Sequence, residues 1–254
     1  MSRTKKVISF SLYGNKPNYQ IGAILNVIEA KRLFPDWVCR FYTTDPPDVL
    51  SQLAYLGAEI VDMRNDPLVG AKMFWRFLAA DDKDVKSMMV RDADSVVSTR
   101  EVVVIDRWLK SEDEWEFHII RDHPAHRSVP IPGGMWGYTY LNNKANAVNL
   151  DEKPMRCYIR DDWMAKMKKG VGRVQDDQRF LKWFYERLVR LQASVLRYGP
   201  QGIRIPPHEA TRYTRHVGAR TLNHGHYFNN TDMVHGFDKN FFNSQGWNWW
   251  HHYG

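Results

Sequence analysis

Across the first 120 residues of this 254-residue chain, the apolar positions switch back and forth between two periods. KKVISFSLYG (5–14) reads as a strand ending at Gly14. In YQIGAILNVIEAKRLFP (19–35), Ile21, Ile24, Leu25, Ile28 and Leu33 fall near helical spacing, and Pro35 stops the run. WVCRFYTT (37–44) is β-rich; PPDVLSQLAYLG predicts a helix closed by Gly57, and AEIVDM a strand. GAKMFWRFLAADD predicts a further helix and VKSMMVRDADS the strand after it. STREVVVIDRWLKSE opens on a Ser/Thr cap with an acid shortly behind, a helix start, and WEFHIIRD is another strand. Strand–helix alternation of this kind predicts an α/β fold, a mostly parallel central sheet with helices on both faces.

After residue 130 the alternation stops. PIPGGMWGY is a Gly-rich turn entering a short strand, and helices are expected over 155–169 and roughly 175–192. The chain reads as a single domain over residues 1–200. An aromatic, Asn- and His-rich extension, 201–254, is expected to pack on or near the active site. In such sheets ligands sit beyond the carboxyl ends of the strands. Gly14, the Asp92/Asp94 pair and Arg121/Asp122 all lie at predicted strand ends, so they are expected to converge on one cleft.

Composition narrows the class. Hydrophobic residues at 43% and ten Trp supply a core. No apolar run approaches the ~18 residues of a membrane span, and no cleavage pattern follows the basic start MSRTKK. Cys39 and Cys157 are isolated, which points to free thiols and a cytoplasmic protein. The net charge of +7 and a pI near 9.3 suit a phosphorylated small molecule, an anionic surface or nucleic acid. The cations are scattered, however, and lack the interleaved aromatics of a nucleic-acid module, so no nucleic-acid partner is expected.

VRDADS raises the central question, because carboxylates embedded in an apolar strand are costly unless they have a task. Asp92 and Asp94, two apart in an extended segment, point to the same side, so both can reach one cation. Hard oxygen ligands suit Mn²⁺ or Mg²⁺, which keep waters and take substrate phosphates. The plain alternative is a turn in which one Asp caps the next segment. On the preceding helix Lys72 and Arg76 are four apart, hence on one face, and suit a diphosphate or sugar hydroxyls. HIIRDHPAHR adds Arg121 and Asp122, the latter a sugar-hydroxyl acceptor. Its HxxH spacing is interrupted by Pro124 and does not suit zinc. In PGGMWG, Gly133 and Gly134 allow close approach of backbone to a ligand. Asp176, Asp177 and Gln178 stand at a helix N-terminus, as caps or facing the reacting centre. His224 or His226 in NHGHYFNN is available to complete a metal's shell.

These stretches together resemble the GT-A type glycosyltransferases with a metal-binding DxD, over roughly residues 5–185. FWRFLAADD…VRDADS is similar to the helix-then-DxD unit of the glycogenin and bacterial galactosyltransferase group. RDHPAHRSVPIPGGMWG resembles a stretch of small bacterial and viral transferases, including the chlorella-virus rhamnosyltransferase domain. The resemblance implies a Rossmann-like GT-A domain. It places Ser11, Leu12 and Tyr13 at the end of the first strand, with Tyr19 beyond it, against the nucleotide, and Arg76 on the donor. Asp92 would touch the metal or the donor's ribose or sugar, with Asp94 on the metal. DDQRF is similar to an Asp-Gln element beside the anomeric carbon, here Asp177 and Gln178. The family's His-x-x-Gly-x-x-Lys-Pro-Trp element is absent near the C-terminus.

The activity implied is metal-dependent transfer of a hexose or deoxyhexose from a nucleotide-diphosphate donor, a UDP-sugar, to a glycan or other hydroxyl acceptor. The Asp-Gln pairing leans towards retention; for inversion, Asp176 or Asp177 would be the base. Paired carboxylates with cations would also suit a metal-dependent phosphohydrolase or nucleotidyltransferase, and the basic pI a nucleic-acid-binding module.

Overall fold

Strand β1 (Lys5–Leu12) is the centre of the sheet, and its alternation shows why. Val7 packs into one core layer, while Ile8, Phe10 and Leu12 pack into the other. Both faces are covered, so from Val7 to Leu12 the strand is buried throughout, and Ser9 and Ser11 are its only polar positions there. The computed structural model describes residues 3–44, 47–110, 116–120, 130–141, 148, 150–167, 175–189, 195–198 and 215–216.

The other strands are β2 (Trp37–Thr43), β3 (Glu59–Asp62), β4 (Val85–Val90), β5 (Ser95–Val96), β6 (Phe117–Ile120), β7 (Trp136–Thr139), β8 (Val195–Tyr198) and β9 (Arg215–His216). Seven form one sheet in the order β3-β2-β1-β4-β7-β6-β8. All neighbours are parallel except β7, which runs antiparallel to both β4 and β6. The mostly parallel α/β architecture expected from the alternation is therefore the observed one. Beyond β4, β5 pairs antiparallel with β9. Those two residues are all that is described of 201–254, so the extension expected there lies otherwise outside the described residues.

Helix α1 (Pro17–Leu33) opens with proline in its first turn, where the missing N–H costs nothing, and closes on Lys31 and Arg32. Its residues from Ile21 to Val27 are all buried, because the helix is covered on several sides. With α2 (Pro47–Tyr55) and α3 (Thr99–Lys110) it forms the layer on one face, around Phe10, Phe41, Leu53, Ile105 and Trp108. Gly57, just past α2, adopts φ +83°, the left-handed geometry expected of a closing glycine.

The opposite layer departs from the sequence reading. Residues Lys72–Asp81 form a 3-10 helix of ten residues rather than an α-helix. The expected helix over 155–169 is an α turn, α4 (Met155–Cys157), followed by a π turn (Tyr158–Trp163) and a 3-10 turn (Met164–Lys166). Helix α5 (Asp176–Phe184) continues as a π turn through Val189. Packing sets these irregular windings. Phe74, Phe77, Trp136, Phe180 and Phe184 interlock with ring centroids 5.5–6.1 Å apart, and residues 74–80 are all buried.

Among the described residues no helix is long and apolar enough to cross a membrane. Both cysteines are free thiols, Cys39 buried.

One buried acid contributes a pH dependence. Glu116, before β6, is 1% exposed. One carboxyl oxygen accepts the Val148 N–H at 2.9 Å, and the other has no partner among the described residues. Burial pushes its pKa up to about 7. The unfolded chain loses this proton near pH 4.5 and the folded chain near 7, so stability falls as pH rises through that window. The shift sets an upper bound of about 3 kcal/mol. Glu116→Gln is expected to remove this fall and to raise the Tm at pH 8, as read by thermal denaturation from pH 4.5 to 8.

Candidate active site

The site is built on the carboxyl ends of β1 and β4. Ser9 and Ser11 face the 3-10 helix and fix it. The Ser9 hydroxyl donates to the Arg76 carbonyl at 2.6 Å, and the Ser11 hydroxyl accepts the Arg76 N–H at 3.0 Å. The Arg76 guanidinium is buried and reaches two carboxylates, Asp92 through Nη1 and Asp177 Oδ2 through Nη2 at 2.8 Å. Burial opposes its charge, but Asp92 and Asp177 outweigh that and raise its pKa. One cation thus ties β4, the 3-10 helix and the start of α5 into a single network.

Asp92, Ala93 and Asp94 form a turn rather than the expected extended segment, closed by the Ser95 N–H donating to the Asp92 carbonyl at 3.1 Å. The plain alternative of a turn is correct for the backbone, yet both carboxylates line one cleft of about 570 Å³. Asp94 has its pKa pushed up to about 6, first by burial and then by the neighbouring Asp92 charge. The turn is held from behind by Arg91, 1% exposed. It donates to Glu101 of α3 at 2.5 Å and to the Val90 and Trp136 carbonyls at 2.7 and 3.1 Å.

Ser11, Tyr13, Gly14 and Tyr19 line the same cleft with Arg76 and Asp177. Burial, then Asp94 and Asp92, push Tyr19 up to about 12, so its hydroxyl keeps its proton at neutral pH. Gly133 and Gly134 owe their identity to close packing. A Cβ on Gly133 would overlap the Gln178 amide and lie 2.9 Å from Asp177 Oδ2. One on Gly134 would overlap the Asp92 carboxylate.

The structure thus brings Ser11, Tyr13, Tyr19, Arg76, Asp92, Asp94 and Asp177 to one cleft, with Gly133, Gly134 and Gln178 packed beside it. Three expected residues lie elsewhere. Leu12 is fully buried in the α1 layer, facing away from the cleft. Lys72 is exposed and does not share a face with Arg76, because a 3-10 helix turns every three residues and sets positions four apart about 120° from each other. Its Nζ stands 5.8 Å from the Tyr13 ring centroid, outside the cleft lining. Asp176 is 0% exposed, accepts from Arg179 at 3.2 Å and does not line the cleft. Arg121, Asp122, His224 and His226 lie outside the described residues.

Asn15, Lys16 and Met73 line the cleft without having been expected there, since loop residues and a methionine at the start of the 3-10 helix carry no periodic signal. Asn26 was also missed. Its signal is a single amide inside the apolar run AILNVI.

A mostly parallel sheet with one antiparallel strand beside β4 is a GT-A type α/β fold. Solved structures similar to this chain include glycosyltransferases. The apo form of GlyE from Streptococcus pneumoniae TIGR4 aligns at TM-score 0.50 and 17% identity, over 77% of this chain and 45% of that one. The chain therefore spans less than half the length of that protein. A glycosyltransferase involved in glycosylation of the major capsid of PBCV-1 aligns at TM-score 0.45 and 13% identity, over 83% of this chain and 91% of that one. Glucosyl-3-phosphoglycerate synthase from Mycobacterium tuberculosis aligns at TM-score 0.44 and 14% identity, over 82% and 75%. No protein-family profile and no curated protein sequence matches the chain.

Proposed function

We propose that this chain is a metal-dependent glycosyltransferase that moves a sugar from a nucleotide diphosphate, with UDP as the nucleotide, to a hydroxyl acceptor. The observation that carries this reading is the convergence of Asp92, Asp94 and the Arg76–Asp177 pair on one cleft, at the strand ends of a GT-A fold.

The residues fit a hard divalent cation of modest protein ligation. Asp92 and Asp94 offer hard oxygens to one cleft, and Mn²⁺ or Mg²⁺ takes its further oxygens from water and a diphosphate. Asp94 would hold it, with Asp92 beside it. Mn²⁺ or Mg²⁺ bound there would neutralise charge building on the departing diphosphate. Arg76 keeps Asp92 and Asp177 in fixed places around the donor, a preorganisation of charge that needs no rearrangement during reaction. Tyr13 and Tyr19 bound the cleft, and the Tyr19 hydroxyl remains a donor towards the sugar or the ribose.

Asp177 has both oxygens engaged, Oδ2 by Arg76 and Oδ1 by the Gln178 N–H at 2.9 Å. A carboxylate held this way suits electrostatic stabilisation of an oxocarbenium-like centre better than proton abstraction. With Asp176 turned into the protein, this supports the lean towards retention.

A thermal-shift screen of nucleotide-diphosphate sugars with and without Mn²⁺ tests the proposal. A UDP-sugar is expected to stabilise the protein only when Mn²⁺ is present, and NMR of the product is expected to show the donor's anomeric configuration kept. Cleavage of the phosphoanhydride with no glycosyl transfer to any acceptor would assign the site to a phosphohydrolase instead.

A further inference from the structure

We infer that the Gly22–Asn26 face of α1 is the positioning element for the carboxylate turn, with Asn26 acting on Asp94 through the backbone of residues 93–97. The inference rests on the reading of Asp94 as part of a donor site.

Asn26 is fully buried in mid-helix. Its Nδ2 donates to the Gly22 carbonyl of its own helix at 2.8 Å, then across to the Ala93 and Ser95 carbonyls at 3.3 and 3.1 Å. Its Oδ1 accepts the Val97 N–H at 3.0 Å. A buried amide needs partners, and all but one of these belong to the segment that carries Asp94. The side chain therefore grips the backbone on both sides of that residue while touching neither carboxylate.

Gly22 stands one turn earlier on the same face. A Cβ there would overlap the Ala93 carbonyl oxygen and lie 3.0 Å from the Asp94 Cα. Helix backbone and turn backbone are thus in direct contact, and the obstructing atoms are main chain, which cannot swing aside. The clamp fixes where the two carboxylates of the turn stand in the cleft. A β4 end without the clamp would still carry the aspartates but not their placement.

Amide hydrogen exchange by NMR on the metal-free protein, paired with calorimetric titration of UDP in the presence of Mn²⁺, tests this. The variants are Asn26→Ala and Gly22→Ala, with Leu53→Ala, in the buried part of α2, as the measure of general destabilisation. Should Asn26→Ala fail to fold, Asn26→Ser takes its place, its short hydroxyl bonding back to the Gly22 carbonyl without reaching residues 93–97. Exchange at the Ser95 and Val97 amides is expected to speed up at least about tenfold more than in Leu53→Ala, the equivalent of one lost buried hydrogen bond. Amides of β1 should follow the control. Affinity for UDP with Mn²⁺ is expected to fall at least about tenfold in both site variants and to hold in Leu53→Ala. Unchanged protection at Ser95 and Val97 in the folded variants would overturn the clamp, as would Leu53→Ala losing as much affinity as they do. Wild-type protein that ignores UDP with Mn²⁺ would sink the donor-site reading alone, and the exchange comparison would then decide the clamp by itself.

Discussion

Arg76→Met is expected to abolish sugar transfer and to lower the unfolding free energy by about 3–5 kcal/mol, the cost typical of breaking a buried ion pair from one side. Methionine is flexible and apolar, so the loss is not mainly one of packing. What remains is the difficulty. Asp177 is 7% exposed at its side chain and would face the core layer with no cation, while Asp92, at 39%, would recover part of its hydration. The Ser9 and Ser11 bonds go to the Arg76 backbone and would survive, so the 3-10 helix should stay docked on β1. Damage should then concentrate where α5 meets the turn. Arg76→Lys should recover little, because one ammonium cannot reproduce a fork that reaches two carboxylates on different elements. Urea denaturation beside turnover measures both effects. An Arg76→Met protein as stable as the wild type would mean that the pair is not the tie described above.

That tie also marks how far the sequence could be read. The strand–helix alternation was legible because β1, β2 and β4 are short, mostly apolar runs covered on both faces, and α1 is bounded by a proline on each side. The place of the carboxylates at a strand end was legible for the same reason. Their backbone was not, since an isolated Asp-Ala-Asp suits an extended end and a turn equally well. Neither was the winding of residues 72–81, where KMFWRFLAAD is apolar in nearly every direction and holds no period to separate three from 3.6 residues per turn. The error had a consequence: an α-helix would put Lys72 beside Arg76, and the 3-10 helix removes it. The Arg76–Asp177 contact joins residues 101 apart in sequence, which no local pattern encodes. Gly133 and Gly134 were visible as positions of close backbone approach, but not what they approach. They are small because Asp92, Asp177 and Gln178 occupy the space a side chain would need.

The two aspartates of the turn are expected to part company when each is replaced by asparagine. Asp94→Asn should raise the stability of the metal-free protein at pH 8 while removing turnover. Burial and Asp92 push the Asp94 carboxyl up to about 6. The unfolded chain loses that proton near pH 3.8, so wild-type stability falls as pH rises from there to about 6 and stays low above it. A neutral amide removes the fall, for a gain on the order of 1–3 kcal/mol at pH 8 and none at pH 3. Arg76 keeps both of its partners in this variant, so nothing offsets the gain. Mn²⁺ with a UDP-sugar should reverse the order, because ligand at a thousandfold excess over Kd stabilises only the protein that binds it, by about 4.1 kcal/mol. Asp92→Asn should act with the opposite sign on stability. It takes a charged partner from a buried guanidinium, and both the metal-free protein and turnover should suffer. Thermal melts at pH 3 and pH 8, with and without Mn²⁺ and donor, separate the two roles. If the metal-free Asp94→Asn protein melts below the wild type at pH 8, Asp94 is held by a partner that stabilises its charge, and its assignment as the open metal ligand fails.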